Sequence, residues 1–106
     1  MKNLQISLDD FATLQKLGED FIVVDVREPW EVEKAPFKEA LNIPLGKLPN
    51  QISQIPKTSL IITLCHHGVR SLKAAYLLDL SEKRALSLEG GIENYAIFVD
   101  PTIVRY

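Results

Sequence analysis

The chain alternates continuous apolar runs with stretches in which apolar residues recur every three or four positions. Residues 21–26 (FIVVDV) and 59–64 (SLIITL) are the two strongest runs, rich in β-branched side chains and interrupted inside only by Asp25 and Thr63. They fit strands buried on both faces of a mainly parallel sheet, because a strand with one face in water alternates apolar with polar residues. ALSL, residues 85–88, reads as another short strand, and a brief one over residues 41–43 ends at Pro44. Leu8, Phe11, Leu14 and Leu17 make the apolar stripe of a helix over residues 8–17, with Ser7 and Asp10 as a capping pair and Gly18 as its stop. Glu28-Pro29 turns the chain and opens a short helix through Val32. Leu48, Ile52 and Ile55 recur at helical spacing before Pro56, with Pro49 tolerable in the first turn. Residues 71–80 (SLKAAYLLDL) hold strong helix formers, and Ala74 and Ala75 allow close approach to a sheet. After the third strong run, Gly90-Gly91 leads into a final apolar segment over residues 92–99. Strands alternating with helices predict an α/β fold.

Composition narrows this picture. With 106 residues, 46% apolar and 25% charged, the chain is expected to form one globular domain over residues 1–106 around a single core. The net charge of −2, with both signs interspersed, gives no reason to expect a nucleic-acid or membrane partner. No run approaches the roughly 20 apolar residues that span a bilayer, and the opening MKNLQISLDD lacks the basic-then-apolar order of a secretory signal. The expected location is cytoplasmic. One cysteine permits no intrachain disulfide, which suits a reducing compartment.

That cysteine lies in CHHGVRS, residues 65–71, together with both histidines and an arginine. The segment follows a predicted strand and precedes a predicted helix, the place where open α/β sheets bind ligands. The first amides of the helix have no intrahelical acceptor, and Gly68 lets a tight loop turn further N–H groups inward as an anion nest. A thiolate at Cys65 in that field, with Arg70 and His66 or His67 adding positive charge, is a nucleophile at neutral pH. The competing reading is a buried, unreactive cysteine. Structural zinc is disfavoured, since Cys65, His66 and His67 are contiguous and exhaust the Cys and His supply, whereas such sites use four ligands in spaced pairs. Neither a metal nor another cofactor is expected. The histidines read as polar loop walls more than as a general base, because adjacent side chains seldom converge on one atom.

Three blocks in order, DVREPWE (25–31) with ALNIPL (40–45), CHHGVRS (65–71) and LEGGIENY (88–95), make the sequence resemble single-domain rhodaneses, the sulfurtransferases. The resemblance covers nearly the whole chain. It implies a three-layer fold with a central five-stranded parallel sheet and helices on both faces. It further implies that Cys65 carries sulfur as a persulfide, with the amides of residues 66–70 cradling the terminal sulfur. His66, His67, Gly68, Val69 and Ser71 would then line the substrate site, and Arg70 would attract an anionic donor such as thiosulfate. Asp25 and Arg27 read mainly as a scaffold ion pair or hydrogen-bond group near the active face. Sulfur would pass to an outside acceptor, cyanide or a thiol, including a sulfur-carrier protein or thioredoxin, because there is no second cysteine to resolve the persulfide. The terminal VDPTIVRY resembles the ends of rhodanese domains fused to adenylating enzymes that load small carrier proteins. A non-catalytic binding module is the remaining alternative. Cell-cycle dual-specificity phosphatases share the fold but place arginine six positions after the cysteine, where this chain has Ser71. Two departures stand out: Ala35-Pro36-Phe37 and Glu39 replace a glycine-histidine-isoleucine turn and a second glycine, and Tyr95 takes the place of a frequent tryptophan. Trp30 is open to two readings, a cover for the core or an exposed partner contact.

Overall fold

The computed structural model describes residues 2–106. Five strands form one wholly parallel sheet, in the order β1-β5-β4-β2-β3. They are β1 (Gln5–Ile6), β2 (Ile22–Asp25), β3 (Leu41–Asn42), β4 (Ile61–Leu64) and β5 (Ala85–Leu88). Between them run α1 (Leu8–Leu17), α2 (Pro29–Lys34), α3 (Leu48–Gln51) and α4 (Val69–Leu80), and α5 (Gly91–Phe98) follows β5. Among the described residues no helix is long and apolar enough to cross a membrane.

The apolar runs explain the layering. Successive residues of a strand face opposite ways, so β4 sends Ile61 into one core and Ile62 and Leu64 into the other. On one face α4 packs through Ala74, Ala75 and Leu78, joined by Leu48 and Ile55. On the other, Phe11 of α1 and Ile92 of α5 meet Val23, Ile62 and Leu88. Ser7 Oγ accepts the Asp10 N–H at 3.0 Å and Gly18 closes α1 in the left-handed conformation, as its flanking residues predict.

Four elements differ from the sequence reading. β1 was not predicted; two residues long, it is too short to show a period and forms only because it adds to β5, Gln5 opposite Ser87. The predicted helix through Leu48, Ile52 and Ile55 is one α-turn, Leu48–Gln51, between 3₁₀ turns at Leu45–Lys47 and Ile52–Gln54. α4 begins at Val69 rather than Ser71, and α2 continues to Lys34 rather than ending at Val32. The turn after α2 is built without glycine: Ala35 is fully buried, and Glu39 adopts φ +65°. Tyr95 fills its predicted packing place edge-on between Phe37, 4.9 Å between ring centres, and Phe11, 6.1 Å.

A left-handed conformation at an exposed, non-glycine residue carries a steric cost that glycine avoids. Glu39→Gly is therefore expected to raise the urea midpoint, a gain of about 0.5–1 kcal/mol after the added freedom of the unfolded chain; a lower midpoint would show that Glu39 is held by interactions worth more than the strain.

Candidate active site

Cys65 sits directly beyond the carboxyl end of β4, the central strand, and is buried to 1% exposure. What shapes the loop is where its backbone groups go. The carbonyls of Cys65 and His66 accept the N–H groups of Ile92 (2.9 Å) and Glu93 (3.1 Å), the first turn of α5. This close approach needs a residue without a side chain, since a Cβ on Gly91 would overlap both carbonyls. With its carbonyls drawn towards α5, the loop turns amides the other way. Sγ of Cys65 accepts the N–H groups of Gly68 at 3.0 Å and Ser71 at 3.3 Å. Gly68 makes the reversal possible at φ +103°. Among the described residues, the amides of His66, His67, Val69 and Arg70 find no protein acceptor.

Ser71 lies in the first turn of α4 and contributes its side chain as well as its amide. Its Oγ is 3.3 Å from Sγ and shares a 2.7 Å hydrogen bond with Ser87 Oγ on β5. Its carbonyl accepts Thr63 Oγ1–H at 2.7 Å, fixing the start of α4 to β4. These serines and Thr63 are fully buried, so the hydrogen bonds replace water they cannot reach. A thiolate at Sγ would thus face two amides, one hydroxyl and the positive end of a helix of 12 residues.

A chain of charges surrounds the loop. Asp25, at the end of β2, receives Arg27 Nε and a guanidinium nitrogen at 2.7–3.1 Å, the scaffold ion pair predicted from sequence, with both side chains buried. The same guanidinium donates to the carbonyls of Glu31 and Ala35 and to the Tyr106 hydroxyl. Tyr106 O–H in turn donates to Glu31 Oε2 at 2.8 Å. Glu31 then receives both terminal nitrogens of Arg70, at 2.6 and 2.9 Å, and the Glu28 N–H at 3.0 Å. Each Glu31 oxygen therefore accepts two donors. Arg70 above all, helped by Glu28 N–H and Tyr106 against the opposing effect of burial, brings the Glu31 carboxyl down to about 2. Arg70 is held above its ordinary value, chiefly by the Glu31 hydrogen bonds.

The remaining predicted residues are brought to the loop in different roles. His66 stacks between His67 and Tyr106, with ring centres 4.0 Å apart on both sides. Its Nε2 is buried without a hydrogen-bond partner, and burial, with the neighbouring His67, lowers its pKa. Neither histidine hydrogen-bonds Sγ. Val69 is 68% exposed, so only its backbone faces the loop. Trp30 is 61% exposed and packs edge-on to Tyr106, so it does not serve as a cover for the core. Arg70, expected to reach for an anionic donor, instead spends both terminal nitrogens on Glu31. Sequence reasoning missed Glu31, Tyr106 and Ser87. Glu31 carried a signal, as the third residue of the α2 first turn in Glu-Pro-Trp-Glu, the position that reaches back to a helix's first amides.

The whole-chain likeness decides the family. Residues 7–97 match the family description "Rhodanese-like domain". The chain belongs to that family. Among rhodanese relatives, it is 36% identical over 92 residues to a sulfurtransferase of Allochromatium vinosum, covering 84% of this chain and 86% of that protein. It is 32% identical over 117 aligned positions to the adenylyltransferase and sulfurtransferase UBA4 of Saccharomyces cerevisiae, covering 96% of this chain and 27% of the yeast protein. A solved rhodanese-related protein from Thermoplasma volcanium superposes with a TM-score of 0.81 at 26% identity, over 96% of this chain and 98% of that one. The five-stranded parallel sheet with helices on both faces is the rhodanese-like fold.

The depressed Glu31 carboxyl has a consequence for acid stability. A carboxyl lowered from 4.5 to about 2 on folding stabilises the fold fully above pH 4.5, and that contribution is lost as pH falls through about 2. With Arg70 one-third exposed, solvent screening reduces the linked contribution to about 2 kcal/mol. Thermal unfolding measured from about pH 6 down to pH 2 should show a shallower decline for Glu31→Gln than for the wild type; parallel declines would mean that Glu31 titrates normally.

Proposed function

We propose that the protein is a sulfurtransferase that moves sulfane sulfur through a persulfide on Cys65. The observation that carries this reading is the Sγ environment: two amides and a hydroxyl on the sulfur, and four further amides in the same loop without acceptors. The membership of the rhodanese-like family and the sulfurtransferase relatives support it.

In the first step the Cys65 thiolate attacks the outer sulfur of a donor, thiosulfate being the simplest. A bond forms between Sγ and that sulfur, the donor's own bond to it breaks, and the leaving group takes the electron pair. The transferred sulfur ends as an anion, which the free amides of residues 66, 67, 69 and 70 can receive. In the second step cyanide or a thiolate attacks the outer sulfur, the bond to Sγ breaks, and the Cys65 thiolate returns. No second cysteine within these 106 residues can resolve the persulfide, so the acceptor comes from outside them.

Exposed Trp30 and Val69 beside the loop favour a second reading, in which the acceptor is a protein such as a sulfur carrier or thioredoxin. The yeast relative, an adenylyltransferase and sulfurtransferase, is in keeping with it.

Intact mass spectrometry tests the shared core of both readings. After incubation with a panel of sulfane donors, the wild type is expected to gain one sulfur atom, Cys65→Ser none, and added cyanide should remove the gain. No gain on the wild type with any donor would sink the enzyme reading and leave a binding module.

A further inference from the structure

The sequence led to the expectation that Arg70 would draw an anionic donor into the loop, yet its charge is already matched. Glu31 is 5% exposed in its side chain and is held by four hydrogen bonds from three residues. A carboxylate so saturated cannot swing away to release the arginine without unpairing Tyr106 and the first amide turn of α2 as well. The other guanidiniums nearby are matched too. Arg27 is paired to Asp25 inside the protein, and Arg105 pairs with Glu93, whose amide binds the loop carbonyl of His66. Burial favours the neutral imidazole at His66. Among the described residues, Lys73 is the cation beside Gly68 and Val69 without an ion pair, and it lies one turn along α4, open to solvent. A solvated ammonium there is screened within about 10 Å at ordinary salt. What positive field remains comes from backbone amides directed at one sulfur, and these do not extend to a second charged group on the donor.

We propose that Glu31 sets the choice of donor: by neutralising Arg70 it makes the mouth of the Cys65 loop a poor receptor for dianionic thiosulfate and selects sulfane donors that carry a single negative charge. The inference rests on the reading that Cys65 accepts sulfane sulfur and adds to it the charge class of the donor. Thiosulfate and methanethiosulfonate are a matched pair of probes. Both present an outer sulfur bonded to a sulfonyl sulfur, and a methyl group replaces one charged oxygen in the second. With either, the Cys65 thiolate attacks the outer sulfur, the new S–S bond forms, and the bond to the sulfonyl sulfur breaks. The electron pair leaves on sulfite or methanesulfinate, and no proton or oxidant is consumed.

The experiment measures kcat/KM for both donors, with Cys65 loading read by intact mass. In Glu31→Gln, which keeps the side-chain shape and removes the charge, the thiosulfate to methanethiosulfonate ratio should rise about threefold or more. In Glu31→Gln combined with Arg70→Ala that rise should vanish, because the freed guanidinium is what produces it. A smaller rise, no change or a fall in the single variant overturns the proposal, as does a rise that survives loss of Arg70. If the Glu31 variant does not fold, the wild type decides. Raising sodium chloride from about 0.02 to 0.3 M should leave its thiosulfate kcat/KM flat within about twofold or raise it, since the loop's own guanidinium is already paired and Lys73 stands off in solvent. A larger fall overturns the proposal. Failure of both probes to load Cys65 would strike the sulfur-transfer reading itself, whereas loading by both with an unmoved ratio removes the charge selection alone.

Discussion

The active loop depends on a division of its backbone hydrogen bonds. Carbonyls of Cys65 and His66 are taken by the first amides of α5, and this leaves the loop's own amides pointing the other way, two of them at Sγ. An isolated seven-residue loop would satisfy its amides with water. Here the sheet places β4 beside β5, and the short connection from β5 into α5 carries Gly91 past the loop carbonyls at a distance no side chain would allow. The thiol thus sits between two helix N-termini with opposite duties. α4 contributes amides towards the sulfur, and α5 binds the carbonyls that would otherwise repel it.

A second framework, made of charge, joins elements that the sheet does not. Asp25, Arg27, Tyr106, Glu31 and Arg70 form one connected set from the end of β2 through α2 to the start of α4. Its buried half is costly to break, because removal of one partner leaves an uncompensated charge inside the protein; such losses typically reach about 3–5 kcal/mol. Its outer half, Glu31 with Arg70, borders the loop, so the same ion pair that orders α2 against α4 also determines how much positive charge an arriving donor meets. Tyr106 connects the halves through its hydroxyl and covers one face of His66 with its ring.

Much of this architecture could be read from residue patterns, and the exceptions have physical causes. FIVVDV and SLIITL mark the two central strands because burial on both faces removes every polar residue that packing does not use; Asp25 and Thr63, the exceptions, are both hydrogen-bonded in the site's framework. β1 and the segment at residues 48–55 escaped, since one derives its existence from a neighbouring strand and the other curls through two short turns that helical spacing cannot tell from one helix. Cys65, Gly68, Arg70 and Ser71 were legible as a loop, and Asp25 with Arg27 as a pair, because they lie close in sequence. Arg70's partner was not. Glu31 is 39 positions away in a charged, surface-like segment, and Tyr106 is 75 positions from Glu31, so their meeting is a product of the fold alone. Glu39 shows the converse: the missing glycine was noticed, while the left-handed backbone that survives without it belongs to the structure.

The most direct measurement of the account is a crystal structure of the protein after sulfur loading by methanethiosulfonate. The outer sulfur is required to lie within hydrogen-bonding distance of the amides of His66, His67, Val69 and Arg70, with Arg70 still paired to Glu31. An outer sulfur turned away from those amides, or an Arg70 that has left Glu31 to bind it, would contradict the account.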